Sequence, residues 1–181
     1  MIEAMRPFRL MIVDDVPQVR QGLRTALVLA ASLSGIEVEI AGEAGNGSQA
    51  VDLAESLHPD AVLMDLEMPV MDGVSAIGTA SALYPAVKFV VLTIFDDDDK
   101  IFRAIRAGAC GYLLKEESGE VITDMLQHLW ENGAGPISPS IAYKILQMVQ
   151  QPAPAVNDKN KTENIFQLSE RELEILQLLC E

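Results

Sequence analysis

With 181 residues, 49% of them apolar, the chain has the length for one packed domain and an appendage, but not for two domains of full size. Thirteen basic residues against 27 acidic give a formal charge of −14, which repels a polyphosphate backbone at long range; a cation or a basic protein surface suits this stretch better than nucleic acid. Cys110 and Cys180 form neither a metal spacing nor a disulfide framework, the apolar part of MIEAMRPFRLMIVDD is too short for a secretory signal, and no run reaches transmembrane length, so the chain reads as cytoplasmic without a membrane partner.

In chain order, Phe8 to Val13 is an apolar strand that stops on Asp14 and Asp15. From Pro17, the recurrence of Val19, Leu23, Leu27 and Ala30 predicts a helix with proline in its first turn. Val38 to Ala41 reads as a short second strand, Gly42 to Gly47 as a loop, and Ala50, Leu53, Ala54 and Leu57 as a helix closed by His58 and Pro59. Ala61 to Met64 is continuously apolar, as a strand buried on both faces of a parallel sheet must be, and it stops on Asp65. Val74, Ile77 and Leu83 mark a third helix, Val87 to Leu92 a strand ending at Thr93, and Ile101, Ile105 and Ala109 a fourth helix. Gly111 to Leu114 makes a fifth strand ending at Lys115, and Val121, Met125 and Leu129, with Ile122 and Leu126 beside them, a fifth helix.

Strands alternating with helices call for an α/β fold, a doubly wound five-stranded parallel sheet with helices on both faces. In the order 2-1-3-4-5, strands one and three meet at the topological switch point, and Asp14, Asp15, Asp65, Thr93 and Lys115 open into one crevice. The first domain is expected over 1–132. Residues 133–164 read as a linker helix, carrying Ile141, Ile145 and Met148 on one face, and a flexible stretch rich in Pro, Asn and Lys. From 165 to 181, Ser169 and Glu172 stand in capping-box spacing before Leu173, Leu176 and Leu179, so a new domain is expected to begin there, with the chain stopping one helix into it.

Three converging carboxylates repel one another, and oxygen-only ligation with room for waters and a phosphate oxygen suits Mg²⁺. A carboxylate can itself attack a phosphoryl group, and Asp65 is the acceptor of choice. Lys115 then pairs with the phosphoryl oxygens and the Thr93 hydroxyl donates to one of them, while Tyr112 is placed to change rotamer when Thr93 moves.

The pattern DD at 14 and 15, LMDLEMPVMDG from 63, VLT from 91 and GYLLK from 111 resembles the receiver domain of two-component response regulators. That resemblance implies a phosphoprotein of phosphorelay signal transduction and no turnover enzyme. A sensor histidine kinase would phosphorylate Asp65, with Asp14, Asp15 and the Glu67 backbone carbonyl around the metal, Thr93 and Tyr112 as the switch pair, and Lys115 as phosphate partner. Glu116 after Lys115, and LSERELEILQLL near the end, resemble the LuxR/NarL-type subfamily. Transcription regulation then runs through a helix-turn-helix of which only the first helix is present, so DNA is a partner only of the missing part, and a phosphorylation-dependent homodimer is expected. Ile94 is larger than the residue usual beside the switch threonine, and Phe95 follows, which predicts a long-lived phosphoryl group.

Other readings compete. A haloacid dehalogenase-like aspartyl phosphatase wants a second aspartate where this chain has Glu67, and a phosphorylation-independent interaction module would use the same fold through its surface alone. Gly45, Gly47 and Ala50 match G-x-G-x-x-A with Asp65 about 20 residues on, but a dinucleotide site leaves Asp14, Asp15, Thr93 and Lys115 without a role. Asp96 to Asp99 read as carboxylates favoured by a helix start, His58 and His128 as surface residues, and Cys110 as a small buried side chain.

Overall fold

A computed structural model describes residues 6–94 and 97–150. The expected flexible stretch at 152–164, the helix expected over 165–181, and Phe95 and Asp96 lie outside the described residues. The elements are β1 (Phe8–Val13), α1 (Pro17–Ser34), β2 (Val38–Ala44), α2 (Gly47–Leu57), β3 (Ala61–Met64), α3 (Gly73–Leu83), β4 (Lys88–Thr93), α4 (Asp98–Ala107), β5 (Gly111–Leu114), α5 (Gly119–Asn132) and α6 (Pro139–Gln150). The strands form one parallel sheet, as the alternation of elements predicts, and their order is the expected β2-β1-β3-β4-β5. No helix among the described residues is long and apolar enough to cross a membrane.

Because side chains alternate across a strand, the apolar strands feed two cores. Leu10, Ile12, Leu63, Val90, Leu92 and Leu113 pack under Leu27 of α1 and Ile122, Leu126 and Leu129 of α5. Met11, Val13, Val62, Met64, Phe89, Val91 and Tyr112 pack on the opposite face under alanines of α2 and α3, Ile101 of α4 and Ile141 of α6. Every residue of β3 is buried, as its unbroken apolar run requires. Side-chain caps start α2 to α5 at the carboxyl end of the sheet, whereas α1 starts on Pro17 without one: Asn46 accepts from Gln49 N, Asp72 from Ser75 N, Asp97 from Asp99 N and Lys100 N, and Ser118 from Val121 N. Asp97 to Asp99 therefore serve a helix start, in keeping with the dipole argument.

Several boundaries differ from expectation. The second strand continues through Gly42 to Ala44: Phe8–Leu10 pair with Val38–Ile40, Met11–Val13 pair with Gly42–Ala44, and the intervening Ala41 is bulged out of register. Glycine here marks an irregular strand and not its end. Leu83 is 59% exposed, because it lies six residues, about 240°, from the buried Ile77 and faces away from the sheet. The fourth helix stops at Ala107, where Gly108 adopts a left-handed conformation (φ 109°), so Ala109 falls outside it.

The turn after α5 also does more than connect. From Gly133 the chain runs back beside β5, where Ile137 bridges Tyr112 in parallel; Tyr112 N donates to Pro136 O (2.8 Å), Ser138 N to Tyr112 O (3.0 Å) and Leu114 N to Ser138 Oγ (3.2 Å). Ser138 and Ile141 are wholly buried, and the compact unit runs to Met148.

Candidate functional site

The site grows from how two neighbouring strands end. Val13 pairs with Met64, so the next residue of each strand, Asp14 and Asp65, emerges beside the other at the switch point. Asp65 N donates to Val13 O (2.9 Å) and Asp14 N to Ala44 O (3.1 Å), fixing both backbones to the sheet. Each carboxylate is then oriented locally: Asp14 Oδ1 accepts from Val16 N (2.9 Å), and Asp65 Oδ1 accepts from Leu66 N (2.7 Å). The second oxygens remain turned to the crevice.

Lys115 fills that crevice from β5. Its backbone N–H donates to Thr93 O (2.9 Å), tying the ends of β4 and β5, and its ammonium reaches over β4 to Asp65 Oδ2 (2.6 Å) and Asp14 Oδ2 (2.5 Å). Asp14 is 1% and Asp65 7% exposed, whereas Asp15 is exposed at the rim. Burial draws the Lys115 ammonium toward losing its proton, but hydrogen bonding and charge from Asp14 and Asp65 outweigh burial and hold its pKa above the ordinary value.

One carboxylate oxygen from each of Asp14, Asp15 and Asp65 lies within 4.8 Å of the others. Asp14 Oδ2, although buried, accepts no directed hydrogen bond and has only the ion pair with Lys115. An all-oxygen donor set with a buried oxygen that pairs with Lys115 but takes no directed hydrogen bond, and with an open side, fits a small hard cation that keeps some of its waters.

The loop from Asp65 to Gly73 frames the crevice. Gly73 N donates to Leu66 O (2.9 Å), closing the loop, and the chain passes so near the acceptor that a side chain on Gly73 would meet Asp65 O at 2.0 Å. Within the loop Met71 N donates to Pro69 O (2.8 Å) across Val70, a β-branched residue at φ 71°, where it is strained. The Glu67 carboxylate points out to Lys100 of α4 as an ion pair. A cavity of about 430 Å³ opens beside the loop, lined by Asp15, Leu66, Met68, Asp72, Lys100 and Arg103 among others.

The structure thus brings Asp14, Asp15, Asp65 and Lys115 together, with Thr93 wholly buried at the adjoining strand end. Tyr112 is not at an exposed edge: it is 1% exposed, opposite Val91 in register, and shares the core on that face. Ile94 is 70% exposed and lines a cavity with Leu114, Lys115 and Glu116. The glycine-rich decoy is a packed helix start, since Gly47 N donates to Met71 O (3.0 Å) and a side chain there would strike Met71 and Ala76. Sequence reasoning missed Lys100 and Arg20, whose contacts with Glu67 and with Asp14 O depend on tertiary reach; the sole signal was a cation one turn into the helix after each acidic loop.

The chain is similar to known proteins. The family model for the response regulator receiver domain matches residues 10–127. The transcriptional regulatory protein LiaR of Bacillus subtilis is 36% identical over 176 residues, 96% of this chain and 76% of LiaR. The nitrate/nitrite response regulator protein NarL of Escherichia coli K12 is 31% identical over 175 residues, 97% of this chain and 76% of NarL. A crystal structure of a LuxR-family two-component response regulator from Aurantimonas sp. SI85-9A1 superposes with a TM-score of 0.71 at 26% identity, covering 81% of this chain and 100% of that one.

Proposed function

Because the chain belongs to the response regulator receiver family, and its relatives are LuxR/NarL-type transcriptional regulators, we propose that Asp65 accepts a phosphoryl group from the phosphohistidine of a sensor kinase. The observation that carries this reading is the Lys115 ammonium seated between Asp65 Oδ2 and Asp14 Oδ2 at 2.6 and 2.5 Å. With Asp65 Oδ1 engaged by Leu66 N, Oδ2, which faces the crevice and pairs with Lys115, is the nucleophile. Its bond to phosphorus forms as the phosphorus–nitrogen bond breaks, and the electron pair of that bond goes to the imidazole. Lys115 follows the new charge onto a phosphoryl oxygen, and the Thr93 hydroxyl donates to another.

Asp14, Asp15, Asp65 and the Glu67 backbone carbonyl would hold Mg²⁺, which neutralises charge on the transferring group. Covalent acceptance is the whole of the chemistry. The added charge, about −1.5 to −2, draws the Thr93 and Lys115 strand ends inward, and the buried Tyr112 reports that movement to the α4 side of the sheet. A coupling of ~1–3 kcal/mol is typical of such population shifts, and we take homodimerisation and the DNA-binding domain that begins at 165–181 as the output, joined through 133–164 to a receiver core over 1–132.

Intact mass after incubation with acetyl phosphate tests this directly. One phosphoryl group is expected on the wild type with Mg²⁺, none without Mg²⁺ and none on Asp65→Asn, with a monomer-to-dimer shift in the phosphorylated sample alone. Uptake by Asp65→Asn equal to wild type would sink the assignment. Ile94 stands over the Lys115 side of the crevice, so Ile94→Ala is expected to speed phosphoryl hydrolysis several-fold by admitting water, as followed by the decay of the mass adduct.

A further inference from the structure

We infer that Arg20 is a positioning residue for the metal site, holding the Asp14 peptide so that its Oδ2 faces the cation; the inference rests on reading Asp14 as a magnesium ligand. Asp14 lies one residue past the end of β1, where no strand neighbour binds its carbonyl. Arg20, in the first turn of α1, takes that place, its Nη1 donating to Asp14 O at 2.6 Å. The guanidinium also lies against Glu43 at the end of β2, where Nε and Oε2 are 3.4 Å apart as an ion pair without a directed hydrogen bond, and Glu43 Oε1 accepts from Arg24 Nη1 (2.9 Å).

With Arg20 in place, three of the four polar atoms of Asp14 are engaged: N–H by Ala44 O, the carbonyl by Arg20 and Oδ1 by Val16 N. Only Oδ2 is left to turn toward Lys115 and the crevice. A guanidinium near a cation site has two opposed effects. Its charge repels the cation, whereas its hydrogen bond fixes the ligand. Glu43, which Arg24 shares, offsets part of that charge, and the hydrogen bond of Arg20 goes to the Asp14 carbonyl, so in this inference the positional effect prevails. Lysine lacks the planar fork that lets one side chain address the Asp14 carbonyl and Glu43 together.

Calorimetric titration of the full chain with Mg²⁺ alone tests this on wild type, Arg20→Met and Arg20→Lys, alongside the phosphoryl uptake rate at saturating Mg²⁺. The Mg²⁺ dissociation constant is expected to rise about 10-fold in Arg20→Met, the lower end for losing a group that orients a metal ligand. Arg20→Lys should fall between the two. The rate at saturating Mg²⁺ should stay within about twofold of wild type, because the group acts through metal binding and not on the transferred phosphoryl. Mg²⁺ binding that is unchanged or tighter in Arg20→Met, with wild-type binding intact, overturns the positioning role and leaves the site reading standing. Absence of Mg²⁺ binding by the wild type overturns both. Should Arg20→Met fail to fold, Arg20→Lys decides, and affinity equal to wild type there overturns the role.

Discussion

Replacing Lys115 by methionine is expected to lower the stability of the magnesium-free protein by about 3 kcal/mol, the lower part of the range for removing one partner of a buried ion pair. The ammonium is the group that offsets Asp14 and Asp65, which are almost wholly buried side by side, and it touches an oxygen of each. Without it, two carboxylates face one another with Asp15 near by, and Arg20, which binds the Asp14 carbonyl and lies against Glu43, takes no ion pair with either. Mg²⁺ can take over that duty, so saturating Mg²⁺ should restore most of the loss in the variant while adding less to the wild type. Urea midpoints with and without Mg²⁺ measure both, and a variant as stable as wild type in chelator would remove the argument. The pH dependence follows with a definite sign. The Lys115 pKa is raised in the folded protein, so its stabilisation is complete below the unfolded value of about 10.4 and is lost as pH rises through the higher folded value. In the wild type this contribution should hold through neutral pH and fade only in strong alkali.

Alanine at position 73 is expected to abolish phosphoryl uptake and to cost about 3 kcal/mol, the upper range for forcing atoms into a packed site. The new methyl carbon would lie 2.0 Å from Asp65 O and 2.9 Å from Leu66 Cα. Both are backbone atoms, one of them in the acceptor residue itself, so no rotamer change relieves the contact. The loop must open at the Gly73 N to Leu66 O bond, and Glu67 and Leu66 N, which orients Asp65 Oδ1, move with it. Gly78→Ala, five residues on in α3, is the control: its methyl would find only Ala107 Cβ at 3.8 Å, and it should be neutral or gain about 0.5–1 kcal/mol from helix propensity. Intact mass and denaturant midpoints on the two variants separate local from general effects. Wild-type uptake by Gly73→Ala would show that the loop tolerates another path.

How much of this was legible beforehand depends on the range of the interaction. Asp14, Asp65 and Lys115 could be placed because an apolar run that stops on a charge marks a strand end, and strand ends of a parallel sheet share one crevice. The helix start at Asp97 to Asp99 followed from the preference of a helix N-terminus for carboxylates. The extension of β2 past Gly42 was hidden because glycine signals loops more often than bulged strands. Leu83 misled because α3 is apolar on more than one side, so periodicity does not single out its buried face. Arg20 and Lys100 were beyond reach for a different reason: a flexible cation's partner is set by which loops the fold brings within its length, and sequence spacing does not report that.

The segment laid down beside β5 bears on where this chain can be cut. Ending it after Asn132, at the close of α5, would strip Tyr112 of both backbone partners, leave Leu114 N without Ser138, and uncover the pocket that Ile141 fills. A bare outer strand carrying unpaired amide and carbonyl groups next to fresh apolar surface is a template for strand addition by another molecule. A truncated piece of that kind would self-associate through a surface that the longer chain never offers, and a dimer measured on it would say nothing of signalling. Domain swaps and fragment studies should therefore keep residues through Met148, where the compact unit ends.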